Sequence, residues 1–345
     1  MEYINDINIQ SAVMHVLDSA GDEPILNEYE LGLNENTYRY LDKHIERCLK
    51  DEELEYAKFN DEGNIITEVV QDYLGGKEPS LINTSKEIAK VLFRIMKSNT
   101  KIPSCNLITI HLLTDRGPMI GILKMDYVRN FTYKVDFVGN KTGIDLTQSI
   151  GLPAKNQKIK KAAFIKLIQE DNKYDLLVIN KQEKGKSIKD EYGANYWIDN
   201  FLDCETIKTE RDITKTFIGA TEYWTRCYIT KNAAEAEEIR SKIRTTLKEE
   251  EVINIDELAD KLFDKESDKE SFSNYIKRND LEDEITIDKK YIEDKLKKIR
   301  IKTDNGIELC IDSEAYQDLS KFEIRRKEDG RINMVLKNIE YYIEK

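Results

Sequence analysis

Two runs of aliphatic and β-branched residues around a tight turn constrain the fold more than any other feature of the sequence. NLITIHLLT (106–114) and MIGILKMDYV (119–128) flank the tetrapeptide DRGP at 115–118. Isoleucine and threonine favour pleated strands, and a Gly-Pro pair marks a turn. The pattern predicts an antiparallel β-hairpin, and with it a sheet in the N-terminal half of the chain.

Further strand patterns lie on both sides of this hairpin. A loosely alternating run at 8–18 indicates a strand with a bulge. FTYKVDFVG (131–139) is expected to add a third antiparallel strand to the hairpin. KIKKAAFIKLI (158–168) and YDLLVINKQ (174–182) are separated by a polar turn and predict a second hairpin.

Apolar residues at helical spacing behind capping residues predict the helices. The expected caps, in chain order, are Asn34 or Asn36, Thr84 with Glu87, Asn254 with Glu257, and Ser267 with Glu270. Two long helices are expected over 209–229 and 232–250. Asp304-Asn305-Gly306 and the turn 327–330 then predict two further hairpins near the end of the chain.

These patterns predict an α+β protein. The N-terminal half is expected to pack helices on an antiparallel sheet, and the C-terminal half to combine a helical segment with a small β-hairpin region. The change from strand to helix patterns places the domains at 1–205, with basic central hairpins, and 206–345. A length of 345 residues is enough for two domains that each bury a core.

Charge is strongly segregated along the chain, although the total is only −12. Residues 1–80 contain 6 basic and 19 acidic side chains, whereas residues 81–189 contain 20 basic and 9 acidic side chains. Residues 190–288 return to an acidic balance, with 14 basic and 26 acidic side chains. Local fields follow this distribution more than the total, so the acidic sum does not exclude a polyanionic partner for the middle third.

The sequence supports no catalytic residue, metal site or cofactor. The five cysteines are scattered and the three histidines have no ligand at metal-site spacing, which favours buried thiols and structural imidazoles. Phosphate-binding glycine loops and nucleophile motifs are absent from the sequence. A metal-dependent nuclease is a weak alternative that depends on Asp175 and Glu183 followed by Lys184 or Lys186, because their spacing does not fit an acid-x-lysine strand.

Nucleic-acid binding is better supported, by two groups of basic residues. The first group lies on the second hairpin and its flanks: Lys155, Lys158, Lys160, Lys161, Lys166, Lys181, Lys184, Lys186 and Lys189. The second group surrounds an expected helix-to-strand junction: Lys295, Lys297, Lys298 and Arg300. Strand alternation is expected to leave one hairpin face markedly basic. Neither group has interleaved aromatic residues, so contacts with the DNA backbone are favoured over base readout.

Three segments in this order resemble the bacterial nucleoid-associated protein family. They are the opening INIQSAVMHVLD, the hairpin NLITIHLLTDRGPMIGILKMDYV, and GANYWIDNFLDC at 193–204. The resemblance spans nearly the whole chain. It implies association with the bacterial nucleoid, DNA binding and, in some members, contact with type II topoisomerases. From the residues themselves, Tyr196, Trp197 and Phe201 are interpreted as the core-facing side of a helix.

The resemblance, together with the basic middle third of the chain, implies a non-enzymatic, DNA-binding protein of the bacterial cytoplasm and nucleoid. Its expected partners are double-stranded DNA with low sequence specificity and type II topoisomerase subunits, with no membrane. A homodimer is the base-rate expectation. The main alternative is a protein-interaction adaptor whose acidic flanks dock on a basic partner, so that DNA contact is indirect.

Overall fold

The computed structural model describes residues 3–61, 64–139, 141–181 and 195–343. The chain divides into two compact units, Glu2–Ile207 and Lys208–Lys345, and each unit has an apolar core of its own. Both units combine helices with antiparallel strands. This confirms the α+β fold class predicted from the sequence.

One antiparallel sheet of seven strands is the framework of the described part of the first unit. The strands are β1 (Ile7–Leu17), β2 (Leu54–Phe59), β3 (Cys105–Thr114), β4 (Gly117–Asp126), β7 (Lys161–Lys166), β8 (Leu176–Asn180) and β9 (Cys204–Ile207). Their order across the sheet is β1-β3-β4-β7-β8-β2-β9. The central strands are buried on both faces, which explains why their sequences are nearly continuous apolar runs.

Helices cover the two faces of this sheet. They are α1 (Glu35–Leu49), α2 (Ile65–Leu74), α3 (Leu81–Ser98) and a π-helix, Tyr196–Leu202. The last three pack on one face, in a core with Leu107, Ile120 and Ile122. α1 packs on the other face, where the hydroxyl of Tyr40 lies 3.7 Å from Met125 Sδ.

The predicted central hairpin is confirmed. β3 and β4 pair in an unbroken antiparallel register that closes at Thr114 and Gly117. Gly117 has a φ of 94°, a left-handed conformation that favours glycine at this position of the turn. The expected bulge is also present, since the β1–β3 register shifts between Ile9 and Ser11.

The strand predicted at 131–139 is present, but it does not pair with the central hairpin as predicted. This segment belongs to β5 (Val128–Val138), which pairs with β6 (Lys141–Gly151) in a separate two-stranded sheet, here called the ribbon. The reason is that β7 already occupies the side of β4 away from β3, from Met119 opposite Lys166 to Lys124 opposite Lys161. The chain therefore leaves the main sheet after β4 and returns to it only after the ribbon.

The aromatic segment near residue 200 lies in the core, as the sequence predicts. Trp197 and Phe201 are completely buried and stack with ring centroids 4.6 Å apart. Trp197 Nε1 donates a hydrogen bond to the carbonyl oxygen of Ala162 on β7 at 3.3 Å, so the indole is both buried and paired. The π-helix thus fixes its position against the centre of the sheet.

The second unit is mainly helical, with short strand pairs. Its helices are α4 (Glu210–Tyr228), α5 (Ala233–Glu249), α6 (Ile255–Leu262), α7 (Glu266–Lys277), α8 (Lys289–Lys295) and α9 (Ser313–Gln317). Its strands are β10 (Val252–Asn254), β11 (Glu284–Thr286), β12 (Lys298–Lys302), β13 (Glu308–Asp312), β14 (Phe322–Arg326) and β15 (Ile332–Leu336). The pairs β12–β13 and β14–β15 are the two hairpins predicted from their turns.

Of the four capping signals, two are confirmed and two are wrong. Asn34 and Asn254 accept hydrogen bonds from the first free N–H groups of α1 and α6. By contrast, the N-cap of α3 is Ser80, four residues before Thr84, so Thr84 is buried inside the helix. α7 begins behind Lys265 rather than Ser267, with no side-chain cap.

The longest helices, α3 and α4, have 18 and 19 residues and several charged side chains. Crossing a bilayer takes about 20 predominantly apolar residues. Within the described ranges, no helix reaches that combination of length and apolar character.

His15 on β1 is completely buried and has a hydrogen-bond partner at each ring nitrogen. The backbone N–H of Asn27 donates to Nδ1 at 3.0 Å, which assigns the proton to Nε2. Nε2 in turn donates to Ser85 Oγ on α3 at 2.9 Å. Burial, followed by the nearby charge of Lys86, lowers the pKa of His15 to about 4. The neutral imidazole therefore links β1 to α3 at physiological pH.

This arrangement predicts a pH-dependent stability. Because the folded-state pKa lies below the unfolded value of about 6.5, the contribution of neutral His15 is complete above pH 6.5 and is lost as pH falls towards 4. Between pH 7 and pH 4.5, we expect this residue alone to cost about 2 to 3 kcal/mol of unfolding free energy. Urea unfolding of the wild type and of His15→Gln at both pH values measures this loss of unfolding free energy. Equal pH-dependent losses in the two proteins contradict the assignment.

Candidate nucleic-acid interface

Three of the predicted lysines lie in the loop between β6 and β7. Lys155, Lys158 and Lys160 are all exposed. Pro153 and Ile159 are buried and anchor the two ends of this loop. Apolar anchors on either side of a polar turn leave the lysines facing water, where a phosphate can reach them.

The loop runs along α1 towards the end of that helix. The hydroxyl of Tyr40 donates to the carbonyl oxygen of Pro153 at 2.7 Å, and Lys158 Nζ lies 3.7 Å from Asp51 Oδ2, just after the helix C-cap. The last turn of α1 carries the exposed Arg47, with Lys50 following as its C-cap. We call Arg47, Lys50, Lys155, Lys158 and Lys160 the basic edge.

Asp51 is the acidic group beside the basic edge, and its carboxylate is paired with the largely buried Lys181. Lys181 Nζ, only 10% exposed, donates to Asp51 Oδ2 at 2.5 Å. Burial alone raises the pKa of Asp51, but the hydrogen bond from Lys181 and the charge of Lys158 leave it lowered overall. The carboxylate is therefore ionised and balances Lys181, which points inward and is not part of the exposed surface.

Lys161 is also directed into the protein. Its side chain is buried, its Nζ donates to Asn180 Oδ1, and it lies 5.4 Å from the centre of the Tyr196 ring. Burial and then the charge of Lys124 lower the pKa of Lys161 to about 8. Its burial removes it from the candidate phosphate contacts.

The expectation of one basic hairpin face is not met, because β7 is a central strand. Its residues 162–165 are completely buried, so neither face of the strand is open to solvent. Lys166 lies at the far end of β7, half-buried, with Nζ 3.7 Å from the centre of the Tyr174 ring. It is separated from Lys160 by about 20 Å of extended chain. Lys184, Lys186 and Lys189 lie outside the described residues.

The second group of basic residues is exposed but largely balanced by carboxylates. Lys297 Nζ lies 2.6 Å from Asp294, and Lys298 Nζ lies 3.9 Å from Asp312 on the opposite strand. Lys302, at the far end of the same face of β12, pairs with Glu308 at 2.8 Å. Lys295 and Arg300 are also exposed, and Arg300 faces Cys310 across the strand pair. The net positive charge of this surface is therefore smaller than the count of basic residues suggests.

Asp175, the residue on which the nuclease alternative depends, lies in surroundings typical of a residue that stabilises the fold. It is buried, and its Oδ2 accepts a hydrogen bond from the backbone N–H of Phe59 at 3.2 Å. Glu183 lies outside the described residues. Within the part of the chain that the structure describes, no group of three histidine, cysteine or carboxylate side chains is placed to hold a metal ion.

The cysteine prediction is partly wrong. Cys48, Cys105 and Cys204 are buried free thiols, whereas Cys227 and Cys310 are exposed free thiols. Cys310 lies on the same face of the two-stranded β12–β13 hairpin as Arg300. No further layer covers this face within the described residues, so the thiol is exposed.

The profile of one protein family, described as nucleoid-associated protein YejK, matches residues 13–344, nearly the whole chain. The chain belongs to this family. Family membership confirms the resemblance inferred from the three motifs, and it places the protein at the bacterial nucleoid, in the cytoplasm. No curated protein sequence matches the chain.

For this family member, sequence reasoning missed Arg47 and Lys50. Both lie in the acidic first block, and they are more than 100 positions away from Lys155. A helical signal was available, since Arg47 lies on the polar side of a predicted helix. Only the packing of α1 against the loop after β6 shows that the end of this helix lies beside the loop that carries Lys158.

Charge reversal is expected to destabilise the protein much more at Lys161 than at the nearby Lys158. Lys161→Glu buries a carboxylate near Asp126, which should cost about 3 kcal/mol or more of unfolding free energy. Lys158→Glu changes a side chain that is 72% exposed and should cost less than about 1 kcal/mol. Chemical denaturation of the two single variants measures the difference. Equal losses contradict the placement of Lys161.

Proposed function

We propose that this protein is a non-enzymatic, nucleoid-associated protein that binds duplex DNA directly, through phosphate contacts at the basic edge. The observation that carries this proposal is the exposure of Lys155, Lys158 and Lys160 beside the cationic end of α1. Family membership supports the nucleoid role. The inward orientation of Lys161 and Lys181 restricts the contacts to fewer residues than the sequence suggested.

The chemistry of this surface favours the DNA backbone over the bases. Lysine is a compact point charge that neutralises phosphates, whereas base readout needs planar or bidentate groups placed in a groove. Four of the five side chains in the basic edge are lysines, and they lie on a loop and at a helix end. We therefore propose sequence-tolerant binding whose affinity falls steeply with salt.

The acidic surroundings limit how DNA approaches. Glu46 pairs with Lys43 and lies 3.9 Å from Lys50, and Asp51 bounds the loop on its inner side. Beyond a Debye length of about 8 Å the acidic blocks are screened, but at contact distance they repel phosphates. DNA therefore meets the protein over a narrow strip at the basic edge.

The DNA-binding proposal predicts a specific change in salt dependence. Replacing Lys155, Lys158 and Lys160 together by glutamine removes three phosphate contacts. We expect the slope of log affinity against log salt to become shallower by about 3 and the affinity at low salt to fall at least about tenfold. Titration of a fluorescent duplex at several salt concentrations measures both quantities.

The matched control changes the same amount of charge elsewhere. Lys295, Lys297 and Lys298, replaced together by glutamine, lose three charges from the partly balanced second group. We expect this variant to keep the wild-type slope within about one unit. A larger effect in the control variant than in the basic-edge variant moves the interface to the second group. Wild-type protein that binds no duplex even at low salt contradicts direct DNA binding.

We also propose that the protein contacts type II topoisomerase subunits, through surfaces that carry its acidic residues. Exposed carboxylates such as Glu52 and Glu205 suit a basic partner better than they suit DNA. If this contact is direct, topoisomerase subunits remain bound to the immobilised protein after nuclease treatment, and the basic-edge variant retains them. Loss of the subunits when DNA is digested shows that DNA mediates the association.

A further inference from the structure

The ribbon has two faces of very different chemistry. In the β5–β6 register, Phe131 lies opposite Gln148, Tyr133 opposite Leu146, and Val135 opposite Ile144. Because side chains alternate between faces along each strand, all the aromatic residues of β5 lie on one face. Beyond Val128 at its base, the other face carries mainly polar and small residues: Asn130, Thr132, Lys134, Asp136, Lys141, Gly143, Asp145, Thr147 and Ser149.

The apolar face of the ribbon is open to solvent along its whole length. Its large side chains are exposed by between 40% and 75%: Phe131, Tyr133, Val135, Phe137, Ile144, Leu146 and Ile150. On the ribbon, the described residues 129–137 and 141–146 are exposed. A continuous patch of this kind is unusual for an isolated monomer and marks an interaction surface.

An uncovered ribbon also lacks the support that two strands need. An isolated two-stranded hairpin is marginally stable in water, and a further layer on its apolar face is what stabilises such a structure. Within the described residues the main sheet does not supply that layer, since the large side chains on the apolar face of the ribbon remain exposed. The ribbon therefore needs a covering surface for its apolar face.

We propose that the covering surface is the apolar face of the same ribbon in a second copy of the chain, so that two ribbons stack in a two-fold dimer. Two identical amphipathic ribbons bury both apolar faces at once and leave both polar faces in water. Sheets pack in this way at a separation of about 10 Å. A closed two-fold contact of identical patches is also the commonest form of homodimer.

The area of the face fits such a dimer. Three aromatic and four aliphatic side chains, all but Val135 more than 60% exposed, provide about 700 to 800 Å² of surface per copy. A stable specific interface buries about 800 Å² on each partner. One ribbon face is therefore sufficient for a dimer without any contribution from other surfaces.

The distribution of charge fits a second copy as well. Arg129 is the single charged residue on the apolar face of the described ribbon, and it lies at the base, opposite Ile150. A two-fold axis near Tyr133 orients the two ribbons antiparallel and places the two Arg129 side chains at opposite ends. No like charges then face each other. On the outer face, Lys134 and Asp136 pair at 2.9 Å, so that face lacks the cationic excess that an anionic lipid surface needs.

The test compares two cross-strand pairs that differ only in the face they occupy. Tyr133→Lys with Leu146→Glu places a lysine–glutamate pair on the apolar face, and Thr132→Lys with Thr147→Glu places the same pair on the polar face. Opposite charges directly across a strand pair support the hairpin in both variants. Sedimentation equilibrium on the full chain measures the dimer dissociation constant, and circular dichroism checks that each variant folds.

We expect the wild type to dimerise, the apolar-face variant to dissociate at least about a hundredfold more readily, and the polar-face variant to stay within about twofold of the wild type. A wild-type protein that is monomeric at about 100 μM overturns the proposal. So do two variants with equal dissociation constants, which show that the dimer contact lies elsewhere. Monomeric wild type that binds phosphatidylglycerol vesicles through the apolar face assigns the ribbon to a lipid surface instead. Because mass is the readout, this result does not depend on DNA binding.

Discussion

Burial of the central strands on both faces is the constraint on which the rest of the first unit depends. β7 lies between β4 and β8, and its residues 162–165 have no solvent exposure. α2, α3 and the π-helix must therefore cover one face and α1 the other. Because β7 is a central strand, Lys161 at its start points into the protein and the exposed lysines lie in the loop before the strand. The ribbon pairs outside the main sheet for the same reason.

Sequence periodicity predicted the elements well where a pattern and its boundary signals agreed. The hairpin around DRGP, the bulge in β1, and the caps at Asn34 and Asn254 all have local causes, namely turn chemistry and capping, that a single segment expresses. It failed where the outcome depends on a distant strand. Nothing in FTYKVDFVG reveals that β7 takes the place beside β4, because strand partners are fixed by tertiary packing.

In the candidate interface too, the sequence predicted what depends on neighbouring residues and did not predict what depends on distant parts of the chain. Lysine counts located the cationic part of the chain, and strand alternation placed Lys160 and Lys161 on opposite faces, but neither showed that Lys160 is exposed and Lys161 buried. That difference follows from the depth of the strand in the sheet. Arg47 and Lys50 entered the basic edge only through the packing of α1. Charge near a site is thus a property of the fold, and block sums along the sequence describe it incompletely.

The two proposals have a geometric connection. β6 ends at Gly151 and the loop of the basic edge begins at the next residue, so each basic edge lies at the base of its own ribbon. Two ribbons of 11 residues per strand, stacked antiparallel, hold their bases about 35 Å apart. One turn of duplex DNA is about 34 to 36 Å long. In the proposed dimer the separation of the two basic edges is therefore close to one turn of duplex DNA, the spacing at which two linked phosphate-binding sites that face the same side of a duplex strengthen each other's binding without any base contact.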